Sequence, residues 1–217
     1  MSEPFAALAQ VTIERPALIR YLDARPRAAS QWDDWNRIAG RWHGFSWESD
    51  LPKVFARVDS WLGDSYRHAV RGVLEPSEAP ALGRCSYDEA TGRFTFGTLT
   101  FSENLNDIVF FFAVARGLAG YLRDRQSGFA LVHNYLWGNG ERTISVMGLG
   151  PENHSYFLDP EKDASAYEAH VLDALAVFDD IWQGYAKLGQ FEIFDKRRQF
   201  EGDKAGPKAT DELERLR

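Results

Sequence analysis

Eight consecutive apolar residues, Ile108 to Ala115 (IVFFFAVA), lie between Asp107 and Arg116, and the apolar spacing continues through Leu118, Tyr121 and Leu122. A segment that is apolar on every side has to be surrounded by protein, so it belongs in the middle of a domain. Eight residues fall far short of the roughly 20 needed to span a bilayer. A short apolar run fits a strand or a buried helix. Its extension to Leu122 favours the helix, with Ser102 or Asn104 as cap and Asp107 in the first turn. Ala113, Gly117 and Gly120 give that helix a small-residue strip that permits close backbone approach. The rest of the chain must build the shell around it.

The shell is affordable, because 44% of the 217 residues are hydrophobic and 14% aromatic, enough for a sizeable core. Before the apolar run the spacing predicts helices. Pro16 opens one carrying Leu18, Ile19 and Leu22, which Pro26 stops. Ser30 caps a second, with Trp32, Trp35, Ile38, Ala39 and Trp42 at helical spacing and Gly44 at its end. Leu51-Pro52 starts a third with Leu51, Phe55, Val58 and Leu62, and beyond Gly63 come Tyr66, Ala69, Val70 and Val73. The first eighty residues read as helical throughout.

At Arg84 the pattern changes. Cys85–Tyr87 and Arg93–Phe101 read as strands around the turn Asp88 to Gly92. Phe129–Trp137 and Glu141–Leu149 flank Gly138-Asn139-Gly140, the strongest hairpin signal in the chain. Phe129, Leu131, His133, Tyr135 and Trp137 share one face of the first of these strands. Its other face is equally apolar, which predicts an inner strand. Tyr156–Leu158 adds a short strand. From Asp163 or Ser165 onward, Val171, Leu175, Phe178, Trp182 and Tyr185 mark a helix with one buried stripe, its other face bearing Glu168, Asp173, Asp179 and Asp180. The expected architecture is a single α+β domain over residues 1–200: a mainly antiparallel sheet, a helical N-terminal third, and an amphipathic helix packed against the sheet. Residues 201–217 read as a charged tail, mobile or weakly docked.

Charge narrows the function classes. Lys+Arg 25 against Asp+Glu 32 leaves −7, and a pI near 5.3 argues against binding nucleic acid or an anionic membrane. Basic clusters at Arg20, Arg25 and Arg27, at Arg123 and Arg125, and at Lys196 to Arg198 are offset by neighbouring acids. The single cysteine, Cys85, excludes an intrachain disulfide and a thiolate zinc site. Without a basic, apolar leader in MSEPFAALAQ, the default location is the cytoplasm. No nucleotide, metal or catalytic fingerprint is present, so no cofactor and no metal is expected.

Two functional readings remain, one of them an interface. Trp32, Trp35, Trp42, Trp47 and Trp61 fall within thirty residues, interleaved with Asp33, Asp34, Glu48, Asp50 and Asp59. Aromatic anchors in an acidic surround suit a surface that receives a basic partner. Core packing is the competing account, and helical spacing favours it for Trp32, Trp35 and Trp42. The interface reading assigns Trp32, Asp33, Asp34, Trp47, Glu48, Asp50, Asp179 and Asp180 to the capture of a basic protein, as an immunity or antitoxin-type inhibitor captures a toxin. The other reading is a small-ligand binder or hydrolase-like enzyme with a pocket formed by His133, Asn134, Tyr135, His154 and Asp159. A satisfied core histidine is the bland account of His133. Cys85 as nucleophile and Glu103 with Asp107 as a carboxylate pair weigh less than a buried thiol and helix-terminal acids. The preference is for binding without catalysis, with oligomeric state open.

Overall fold

A computed structural model describes residues 4–38, 46–74, 82–136, 142–187 and 209–217 of the chain, with the side chains of Trp47, Glu48 and Lys187 outside that description. Its strands are β1 (Ala6–Thr12), β2 (Gly83–Asp88), β3 (Arg93–Thr98), β4 (Gly128–Asn134), β5 (Arg142–Leu149) and β6 (Ser155–Phe157). Its helices are α1 (Arg15–Asp23), α2 (Trp47–Trp61), α3 (Tyr66–Leu74), α4 (Leu105–Leu118), α5 (Ala164–Lys187) and α6 (Ala209–Arg215). The strands form one antiparallel sheet in the order β2-β3-β1-β4-β5-β6. The chain is therefore an α+β protein.

The apolar run is α4. Asn104 caps it by accepting the Asn106 N–H at 2.8 Å, and Asp107 sits in its first turn. One side of α4 meets β1, β4 and β5 and the others meet α1, α2 and α3, which is why it is apolar all round. Gly117 has the use its strip implied: a Cβ there would lie 2.2 Å from the ring of Tyr66, so the aromatic packs directly on the α4 backbone. Tyr66 stacks on Tyr21 at 4.5 Å, and the Tyr21 hydroxyl donates to the Val114 carbonyl at 2.9 Å. α5 crosses the opposite face of the sheet, burying Ala174, Phe178, Ile181 and Tyr185 against Leu8, Phe129, Leu131 and Val146.

The structure departs from the sequence reading in several segments; α2, for one, starts at Trp47, so that Pro52 lies inside it instead of opening it. The helical first third is present as α1 to α3, but it is preceded by β1, which pairs with β3 on one side and β4 on the other. The segment AALAQVT is buried on both faces, so the polar alternation that marks a half-exposed strand is missing. The helix expected from Ser30 to Trp42 is instead two single 3₁₀ turns, Ala29–Gln31 and Trp35–Arg37, with residues 39–45 outside the described residues. In an α-helix Asp34 would point about 160° away from Trp32, whereas both side chains here turn towards one arginine.

His170, on α5, stacks against Phe129 with ring centroids 4.7 Å apart. Burial holds its pKa below the usual histidine value, and nearby Asp173 opposes that shift only partly. The unfolded chain therefore binds the proton more readily, so this group's stabilising contribution is complete above about pH 6.5 and is lost as the pH falls through the depressed native value. Denaturant midpoints measured between pH 7.5 and pH 5 should fall, and His170→Phe should flatten that slope.

Candidate functional site

Trp32, Trp35 and Asp34, three of the aromatic and acidic residues singled out in the sequence, close around a cation belonging to the chain itself. Arg116 lies on α4 with its side chain 1% exposed, and its Nη2 donates to Asp34 Oδ1 at 2.5 Å. Its guanidinium carbon sits 4.7 Å from the Trp35 ring centroid, 5.0 Å from Phe157 and 5.3 Å from Trp32. Trp35 is fully buried and is held in place by an Nε1–H donated to the Ala29 carbonyl at 3.0 Å. Burial lowers the arginine pKa, while Asp34 and the more distant Asp33 pull it back up. A charged guanidinium removed from water incurs a desolvation cost that such a carboxylate and such π faces offset. Its Nε has no partner among the described residues.

That convergence separates the acids of the predicted interface. Trp32, Trp35 and the α4 core pack on one side of the sheet, and α5, which carries Asp179 and Asp180, packs on the other. Two groups with a sheet between them do not form one continuous patch. Asp33 is exposed beside the arginine box, and Asp50, near the start of α2, accepts from Lys53 Nζ at 2.8 Å and from the Ser46 N–H at 3.0 Å. Trp47 and Glu48 open α2, and their side chains lie outside the described residues, as does all of Trp42. Trp61 is 39% exposed and meets the edge of Phe110, away from the arginine box.

On α5 the acids lie in the open. Asp179 accepts the Tyr135 hydroxyl at 2.5 Å, and Asp180 pairs with Arg84 at 2.7 Å. Burial and the neighbouring Asp179 both push the Tyr135 pKa upward. Glu168, Ala169, Leu172, Asp173, Ala176, Asp179 and Asp180 are all exposed, and Leu172 reaches 66%. An outward leucine between alanines one turn to either side, rimmed by acids, was legible from spacing alone.

The alternative pocket residues occupy two places. His133 is 1% exposed on β4; its Nδ1 lies 2.9 Å from Thr143 Oγ1 and its ring lies over Phe178 at 6.4 Å. Asn134 Oδ1, next in the strand, is buried without a partner among the described residues. His154 is exposed, its ring 4.8 Å from Tyr156, and its carbonyl accepts the Gly150 N–H at 2.8 Å. Thr143 and Gly150 stand seven residues apart, about 23 Å at ~3.3 Å per residue, so the two histidines sit towards opposite ends of β5. Asp159 accepts the N–H groups of Glu161 and Lys162, which hold its pKa low, at the turn into α5. These five residues do not converge on one point.

Burial pushes the Cys85 thiol up to about 12, far from a thiolate at neutral pH. Asp107 accepts from the Ser102 hydroxyl at 2.5 Å at the start of α4, the helix-terminal role expected of it. Among the described residues, no group of three His, Cys, Asp or Glu side chains is placed to hold a metal ion. No helix among them is long and apolar enough to cross a membrane. Fold and site thus define the chain at the level of an α+β protein with a six-stranded antiparallel sheet. No family model, curated protein or solved structure matches it.

Proposed function

We propose that this is a cytoplasmic, non-enzymatic binding protein that captures a basic protein through the outer face of α5, in the manner of an immunity-type inhibitor acting on a cationic toxin. The observation that carries the reading is Leu172, 66% exposed on a helix whose outward face also bears Glu168, Asp173, Asp179 and Asp180. The one lysine or arginine in the whole of α5 is Lys187, at its last position. A large exposed apolar group supplies the anchor, and a surround of one sign steers a partner of the other. The overall charge of −7 extends that field beyond the patch.

A photo-crosslinking residue in place of Leu172 should mark one stoichiometric protein of high pI in source-cell lysate. With that protein purified, the variant Asp173→Lys/Asp179→Lys/Asp180→Lys should slow association at least tenfold at low salt and remove its ionic-strength dependence. Leu172→Arg should act mainly on dissociation. An acidic partner, or an association rate indifferent to the charge reversals, would overturn the reading.

A further inference from the structure

The segment 201–217 was expected as a mobile or weakly docked tail, and its last stretch forms α6, a helix of seven residues packed against β2 and α3. A helix this short is marginal alone in water, so the surface beneath it supplies what holds it. That surface is specific in three ways. Ala209, Leu213 and Leu216, at helical spacing, are buried in the same cluster as Cys85, Tyr66 and Val70, and Ala209 rests on the Gly83 backbone, where a Cβ would lie 3.4 Å away. Arg67 of α3 donates from Nη1 to the Leu213 carbonyl and from Nη2 to the Leu216 carbonyl, each at 2.7 Å, while Asp23 of α1 fixes the same guanidinium at 2.8 Å. Arg71 pairs with Glu214. Apolar seats at helical spacing, a two-pronged clamp on the carbonyls that end the helix, and one charge pair make a helix-in-groove arrangement.

We infer that the surface formed by α1, α3 and β2 is a binding groove for a short amphipathic helix, filled in cis by residues 209–216, and that it accepts the same segment from a second copy of the chain. Twenty-one residues, 188–208, separate α5 from α6, a connection of up to about 70 Å when extended, which leaves exchange between copies within reach. The inference stands apart from the α5 face, since the two surfaces lie on opposite sides of the sheet.

Cys85 lies on β2, against which α6 packs, in the same buried cluster as Leu213, and is the one cysteine in the chain, so its reaction with a thiol reagent reports whether the groove is covered. Leu213→Asp in the full chain should raise that labelling rate at least tenfold with far-ultraviolet dichroism unchanged, and a synthetic peptide of residues 208–217 should restore protection while a scrambled peptide does not. If Leu213→Asp fails to fold, Leu216→Asp empties the groove in its place. Arg67→Ala keeps the helix and damages the clamp; mixed with Leu213→Asp it should sediment as a heterodimer, each variant alone being monomeric. A folded Leu213→Asp or Leu216→Asp protein whose Cys85 stays protected, or whose exposed Cys85 the peptide fails to cover, would overturn the inference, and absence of the heterodimer would overturn exchange between copies.

Discussion

Asp34→Ala should destabilise the fold by about 3–5 kcal/mol, the range for removing one partner of a buried ion pair. The alanine leaves Arg116 charged and 1% exposed, with the π faces of Trp32, Trp35 and Phe157 and the more distant Asp33 in place of a paired carboxylate. Arg116→Met should cost much less, because it removes the charge that needs compensating and leaves an apolar side chain among aromatics. Asp34→Ala combined with Arg116→Met should therefore be more stable than Asp34→Ala alone, an inversion that a urea-denaturation cycle reads directly. Equal losses for Asp34→Ala and Arg116→Met, with no recovery in the double variant, would show that the carboxylate does not compensate the buried cation.

The second large loss is expected at Gly97. A Cβ at that position in β3 would fall 2.2 Å from the Ala7 carbonyl oxygen and 2.9 Å from the Leu8 Cα, both backbone atoms of the neighbouring strand. Backbone in mid-sheet cannot rotate away, so Gly97→Ala should cost at or above the upper end of the ~1–3 kcal/mol typical of overpacking. Gly117→Ala makes an equally close contact at 2.2 Å, but with the ring of Tyr66, a side chain that can be exchanged. Tyr66→Leu should relieve Gly117→Ala in part and leave Gly97→Ala untouched. Thermal denaturation of the two single and two double variants separates these outcomes.

The contrast between those glycines parallels what could be read from the chain. Several elements with local signals are legible, namely Pro16 opening α1, Asn104 capping α4, the turn from Asp88 to Gly92, and the long stripe of α5, whereas Leu51-Pro52 does not mark the start of α2. β1 was missed because its alanines and leucine are buried on both faces, which erases the period of two that a half-exposed strand displays. The helix expected from Ser30 to Gly44 is two 3₁₀ turns over its described part, where Asp34 and Trp32 meet Arg116, some eighty residues away, and helical spacing of tryptophans looks the same in either state. For the candidate site, the aromatic and acidic residues were visible, but their target was not. The signal was available in Arg116 itself: a lone charge continuing an otherwise apolar helix has to find a carboxylate and a dry aromatic wall. His133 and His154 were grouped by residue type, and the register of β4, β5 and β6 sets them apart.

Because β1 holds the centre of the sheet, each of its pairings joins residues about 80 to 130 positions apart along the chain. Closing loops of that size has to precede most of the energy they return, so assembly should proceed in milliseconds to seconds and not microseconds. Until β3 and β4 exist to flank it, the sticky AALAQVT stretch is a standing invitation to the wrong neighbour, and crowded refolding should lose yield at that step.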